Sequence, residues 1–145
     1  MSTTSSINKT FSTELANGTS DNQADRLYHS RYAISASTTQ SIDLKGSLVD
    51  DLGNAFTPAK LRGIVVENRA ETSGLDVYVG GNANAVPLFG AAADYAIVKP
   101  QGRFSLEAPI DGITVTASTG DIIDIENPSG STAVTVDVWI WGTSA

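Results

Sequence analysis

Apolar residues alternate with polar ones along most of this chain, most clearly in its C-terminal segment. Every second position there is apolar, at Val134, Val136, Val138 and Ile140, and the intervening residues are Thr135, Asp137, Trp139 and Trp141. Successive side chains of a β-strand point to opposite faces of the sheet, so a period of two predicts a strand with one buried face. A helical face repeats every 3.6 residues and does not fit this spacing.

Turn residues interrupt the alternation at intervals of about eight to twelve residues. Segments rich in Gly, Pro, Asn and Asp end the runs at residues 50–54, 80–82, 100–102, 118–121 and 127–130. The runs between them predict strands at residues 26–35, 42–44, 61–69, 75–79, 95–99, 103–108, 113–117, 122–126 and 134–142. Eight or nine short strands with such turns predict an all-β fold, a single antiparallel β-sandwich of the jelly-roll kind.

The chain divides into an N-terminal arm and one domain. Its 145 residues suffice for a single hydrophobic core, which we assign to residues 26–145. Residues 1–25 are rich in Ser, Thr and Asn, with Phe11 and Leu15 among their few apolar residues. Two interpretations of this arm remain open. It is either a flexible tail or a segment that becomes ordered when it lies across a neighbouring subunit.

Charge and cysteine content narrow the class of partner. The net charge is −7 and Lys and Arg form no cluster, so we expect neither nucleic acid nor an anionic membrane as a partner. Charged residues make up only 17% of the chain, which favours burial of part of its surface against other proteins. The absence of cysteine and of a signal-peptide pattern at the N-terminus is consistent with folding in a reducing cytoplasm.

The sequence contains no recognisable catalytic centre. His29 is the only histidine, no nucleophile motif accompanies it, and zinc sites require several His or Cys ligands. We therefore predict that the chain is not an enzyme and holds no cofactor. The carboxylates of residues 50–51 and of Asp121, Asp124 and Glu126 are assigned to turns and to the surface. Asp124 and Glu126 share one face of a predicted strand and could pair with a neighbouring Lys or Arg. The alternative role for these carboxylates is to bind a structural Ca²⁺.

Two tryptophans on the outer side of the last predicted strand are the strongest indication of function. Trp139 and Trp141 would stand on one face about 7 Å apart, where aromatic side chains gain most by burial at an interface. Three roles are open: contact with another subunit, cover by the arm or a loop of the same chain, or a platform for stacking sugars. The candidate interface residues are Phe11, Leu15, Tyr28, His29, Arg31, Tyr32, Trp139 and Trp141.

The strand-and-turn pattern over residues 40–143 resembles small virion proteins of tailed bacteriophages, of the capsid decoration (cement) type. The segments that carry the resemblance are residues 41–44, 52–54, 64–68, 94–100, 102–109, 112–116, 119–121, 125–127 and 134–142. The resemblance implies a β-sandwich subunit, assembled in the host cytoplasm, that binds the major capsid protein on the outside of the head as a symmetric oligomer, in the expected case a trimer. It brings no catalytic residues. A tail or fibre component and a carbohydrate-binding module that uses Trp139 and Trp141 are the alternatives.

Overall fold

Nine β-strands form in the described part of the chain, which comprises Ser6, Thr10, Ser12 and residues 14–145 of a computed structural model. They are β1 (Arg26–Ile34), β2 (Thr38–Asp43), β3 (Lys60–Asn68), β4 (Val77–Gly80), β5 (Tyr95–Val98), β6 (Arg103–Glu107), β7 (Ile113–Thr114), β8 (Ile122–Asn127) and β9 (Val134–Thr143). No helix occurs among the described residues, and hence none that could cross a membrane.

The strands form two antiparallel sheets that pack face to face. The front sheet has the order β1-β9-β3-β6, with the short β7 also paired to β3. The back sheet has the order β2-β8-β4-β5. Most strands that follow one another in sequence lie in opposite sheets; the exceptions are β4 and β5, which pair in the back sheet, and β6 and β7, which both pair with β3 in the front sheet. The predicted all-β sandwich is confirmed.

Alternation places one side of each strand in the core. From the front sheet, Ile64, Val66 and the four alternate apolar residues of β9 are buried to within a few per cent. Ile42, Val77, Val79, Ile123 and Ile125 oppose them from the back sheet. Burial of each such side chain stabilises the fold by roughly 1.5–3 kcal/mol, so the predicted inward face of β9 is the centre of the hydrophobic core.

Two strands lack two or three of the predicted residues at one end. β7 ends at Thr114 because a tight turn follows from Thr116 to Gly120, although the Val115 N–H still donates to the Ala59 carbonyl (2.9 Å) next to the paired residues. β4 begins at Val77 instead of residue 75, and the carbonyl of Leu75 accepts a bond from the Asn68 side chain (2.8 Å).

Part of the predicted arm packs on its own domain. The Asn22 N–H donates to the Pro109 carbonyl (2.7 Å), and the buried guanidinium of Arg62 donates to the carbonyls of Ser20 (3.0 Å) and Ile110. Residues 16–25 therefore follow the end of the sandwich before they enter β1. The flexible or partner-ordered arm stays a prediction for the residues that precede them.

Two buried asparagines lie at one end of the sandwich, where β1, β3 and β8 end and β9 begins. The Asn127 amide donates to the carbonyls of Ile34 (3.0 Å), Ser35 (3.1 Å) and Thr132 (2.9 Å), and so joins β8 to the end of β1 and the start of β9. Asn68 donates to Val98 (3.0 Å) in the same manner at the end of β3. Carbonyls buried without a donor are costly, which makes both amides structural.

We expect Asn127→Ala to lower the free energy of unfolding by about 1–3 kcal/mol, because the carbonyls that its amide binds lose their donor. Asn84→Ala is the matched control, since that side chain is exposed and should change the free energy by less than about 0.5 kcal/mol. Urea denaturation of both variants measures the difference. Equal stabilities would contradict the structural role of Asn127.

Candidate interaction surface

The side chains that point away from the core on the front sheet form three rows across four strands. The strand register sets the rows: Leu27, Trp141, Gly63 and Glu107; His29, Trp139, Val65 and Ser105; Arg31, Asp137, Glu67 and Arg103. We call this surface the outer face. Its first two rows contain the apolar and aromatic residues, and its third row is charged throughout.

The charged row is a network of alternating sign. Arg31 binds Asp137 through two parallel hydrogen bonds (2.6 and 2.8 Å), and Arg103 binds Glu67 (2.7 Å). Arg69 joins the two pairs, at 2.9 Å from Glu67 and 3.6 Å from Asp137. Bidentate guanidinium–carboxylate pairs are the geometrically specific kind of ion pair, so the network fixes side-chain positions at one end of the outer face.

Hydrogen bonds from the guanidinium groups lower the pKa of both carboxyl groups. Arg31 is the main cause for Asp137 and Arg103 for Glu67. Asp137 is only 3% exposed, whereas Arg31 is 61% exposed and reaches it from the solvent side. The buried carboxylate therefore stays ionised beside two guanidinium groups, that of Arg31 in β1 and that of Arg69 directly after β3.

The aromatic residues lie flat against their neighbours. The His29 ring stacks on the Trp139 indole, with centroids 5.0 Å apart and planes 21° apart. Trp141 covers Gly63: a Cβ placed on this glycine would lie 2.1 Å from the indole ring. The missing side chain at residue 63, beside an irregularity in β3 between Leu61 and Gly63, is what allows the indole to lie on the sheet.

Two open grooves meet at the centre of the outer face. One, of about 330 Å³, is lined by Leu27, Val65, Arg103 and the two tryptophans. The other, of about 650 Å³, shares Leu27, Val65 and Trp141 and extends to Leu15 and Leu52. Leu27 is 61% and Leu52 87% exposed. Neighbouring exposed apolar residues of this kind mark surfaces that bind other molecules.

Acidic residues line the larger groove. Asp25, Asp50, Asp51 and Glu107 line it together with one cationic residue, Arg26. The Asp50 carboxylate also holds a turn, because it accepts the backbone N–H groups of Leu52 (2.9 Å) and Asn54 (2.8 Å); the bond from Asn54 is the main cause of its lowered pKa. The lining of the groove thus combines apolar side chains with a net negative charge.

The structure brings four of the predicted interface residues together and separates the others. His29, Arg31, Trp139 and Trp141 share the outer face, and Leu15 lies in the wall of the larger groove. Phe11 lies outside the described residues.

Tyr28 and Tyr32 point to the opposite side of β1. Tyr28 is 6% exposed, its ring centroid is 5.3 Å from that of Phe56, and its hydroxyl binds that of Tyr32. Burial raises the pKa of Tyr32. Both tyrosines therefore belong to the core side of the sheet, as the alternation along β1 requires.

Several residues of the surface were not singled out in the sequence. Leu27, His29 and Arg31 are alternate residues of β1 and therefore lie on the same face, so the place of Leu27 on the outer face was predictable. Gly63, Val65, Glu67 and Arg103 became part of the surface only through the pairing of β3 with β9 and β6. A single sequence carries no signal for that register.

The carboxylates assigned to turns and surface have local partners. Asp121 accepts the Ser118 N–H (2.7 Å), and Asp124 accepts the Asn82 amide (2.8 Å) and the Ser41 hydroxyl. Among the described residues, the partners of Asp124 are thus uncharged groups of β2 and of the loop after β4, and no ion pair of Asp124 or Glu126 with Lys or Arg occurs. Within the described residues, no three His, Cys, Asp or Glu side chains converge on a point where a metal ion would bind.

Comparisons with known proteins give no family. No family model and no curated protein matches the sequence. Among solved structures, the chain is similar to PirA, with 14% identity and a TM-score of 0.45 over 79% of this chain and 93% of that one. It is also similar to a chain of the cyanophage Pam1 capsid asymmetric unit, with 15% identity and a TM-score of 0.34 over 89% and 93% of the two chains. TM-scores this low assign no role to the chain.

We expect Gly63→Ala to destabilise the protein by about 1–3 kcal/mol, because the added methyl group displaces the Trp141 indole. Gly130→Ala is the matched control, since no atom lies within 4 Å of the added carbon there. Tryptophan fluorescence and urea denaturation measure the two effects. A fully stable G63A variant with native fluorescence would show that Trp141 does not lie against Gly63.

We expect Asp137→Asn to weaken the pH dependence of stability on the acid side. The folded chain holds this carboxyl at a lowered pKa, so its contribution is complete above the ordinary value near 4 and is lost as the pH falls through the folded value. Urea denaturation from pH 6 down to about pH 3 measures the slope in both proteins. An identical slope in D137N would contradict the role given to the Arg31–Asp137 pair.

Proposed function

We propose that this chain is a structural virion protein that binds the outside of a phage capsid as a symmetric oligomer, a trimer in the expected case, and stabilises the shell. The observation that carries the proposal is the outer face, where the exposed Leu27 and the half-buried Val65, Trp139 and Trp141 lie together on an antiparallel sheet. The resemblance of residues 40–143 to capsid decoration proteins supplies the identity of the partner, the major capsid protein. The proposal includes no catalytic step.

Burial of the outer face against a partner would contribute favourable free energy to binding. Leu27, Val65 and the two indoles form one apolar area, and each large side chain buried there contributes up to about 1.5–3 kcal/mol. Capsid contacts repeat many times on one shell, and linkage of several contacts within an oligomer raises the effective affinity far above that of one site. Modest contacts at each site are therefore sufficient to hold a shell together.

The charges around this area favour a partner of opposite sign. The lining of the larger groove contains four acidic residues and one arginine, and the chain as a whole carries a net charge of −7. A matching surface would offer Lys, Arg or backbone N–H groups around an apolar centre, because complementary charges set orientation and the rate of association. The charged row of the outer face is already paired within the chain and would serve as a rigid border.

We expect Leu27→Ser and Trp139→Ala each to weaken binding to expanded shells of the phage that encodes this chain by tenfold or more, equivalent to about 1.4 kcal/mol per tenfold. Ile97→Ser is the matched control, because Ile97 is 52% exposed on the back sheet and should leave binding unchanged. Co-sedimentation with shells measures binding, and thermal unfolding verifies that each variant is folded. Native protein that neither self-associates nor binds shells would overturn the proposal.

Carbohydrate binding is the second candidate, and the geometry of Trp141 favours it. Its indole lies over Gly63 on the sheet, an orientation that would present the opposite ring face to a sugar. Glycan binding by the native protein that is lost in folded W141A, with no binding to shells, would replace the virion assignment. Electron microscopy of particles separates a capsid protein from a tail or fibre component.

A further inference from the structure

The outer face carries opposite charge at its two ends. At one end Arg31, Arg69 and Arg103 surround the carboxylates of Glu67 and Asp137, so these five side chains together are net positive. We call them the arginine end. Arg31 and Arg103 are each 61% exposed, and each guanidinium has more N–H donors than its bonds to the carboxylates use. The arginine end is therefore able to bind a further acidic group.

The larger groove lies toward the opposite end of the same face and is net negative. It is lined by Asp25, Asp50, Asp51 and Glu107 and by Arg26. Asp25 continues the pairing of β1 with β9, since its N–H donates to the Gly142 carbonyl (3.1 Å), so about 20 Å of extended chain separates it from Arg31. This separation exceeds the screening length of about 8 Å at physiological ionic strength. The two ends therefore present separate potentials of opposite sign.

Apolar side chains occupy the region between the two ends. Leu27, Val65 and the two indoles line the smaller groove together with Arg103, and Leu27 and Val65 also line the larger one. Along the strands the surface thus runs from positive through apolar to negative. Each copy of the chain carries both members of a complementary pair, so a second copy satisfies both ends, because opposite potentials attract and set the orientation of a contact.

We propose that the arginine end of one copy docks in the larger groove of a second copy of this chain. Arg31 and Arg103 would meet the acidic lining of that groove, where Asp51 is exposed. Leu52 lines the same groove, is 87% exposed and would be covered by the same contact. The contact joins two different parts of the surface, and such contacts close into a ring when they repeat around a symmetry axis.

The proposal deepens the proposed function and rests on it in one respect, the symmetric oligomer. A ring of three such contacts accommodates the expected trimer and turns the apolar centres of the outer faces toward neighbouring subunits. The contact itself does not require a shell. It is therefore measured on the protein alone, and its failure is distinguishable from a failure to bind shells.

Charge reversal at each end tests the contact, with self-association of the full chain measured by sedimentation velocity. Arg103→Glu and Asp51→Arg each place like charges across the contact and should weaken self-association by roughly tenfold or more. The double variant exchanges the two signs and should restore native association. Glu126→Arg and Lys99→Glu are the matched controls, because Glu126 is exposed on the back sheet and Lys99 pairs with Asp76 directly after β5. Thermal unfolding verifies that every variant is folded.

Three results would overturn the proposal. A native protein that is monomeric means that no second copy occupies the outer face, and binding of that monomer to shells would leave the capsid assignment standing. An oligomer that both single variants leave intact forms through another surface. Single variants that weaken association without rescue in the double variant show that the two ends do not face each other. Added salt should also weaken native association, since it screens exposed charges.

Discussion

The structure depends on the pairing of β9 between two other strands. β1 and β3 bind its two edges along nearly its whole length, and its alternation sends four apolar side chains into the core. The same alternation places two indoles and a buried carboxylate on the opposite side. One strand thus determines both the centre of the hydrophobic core and the centre of the outer face, and a shift of its register by one residue would exchange the two.

The outer face is ordered by the strands that flank β9. β1 supplies His29 for stacking and Arg31 for the ion pair, while β3 supplies the glycine beneath Trp141 and the carboxylate that joins Arg69 to Arg103. Side chains held by such contacts lose little further freedom when a partner binds, which lowers the entropic cost of association. A pre-ordered apolar surface of this kind suits a protein whose role is contact with others.

The sequence predicted what depends on local alternation and missed what depends on pairing between distant segments. The strands, the inward face of β9 and the outward position of the tryptophans all follow from a period of two. Gly63 and Glu67 joined the surface only through a register with residues some seventy positions away. The partners of Asp124 could not be predicted for the same reason, because Ser41 lies in β2 and Asn82 in the loop after β4.

The central claim is that the outer face is the contact surface of a virion protein. Cryo-electron microscopy of the protein bound to expanded shells tests this most directly, since a map at side-chain resolution locates each face of the sandwich. The account predicts that Leu27, Trp139 and Trp141 are buried against the shell or a neighbouring subunit. A bound protein whose outer face remains in solvent, with the back sheet in contact with the shell, would contradict it.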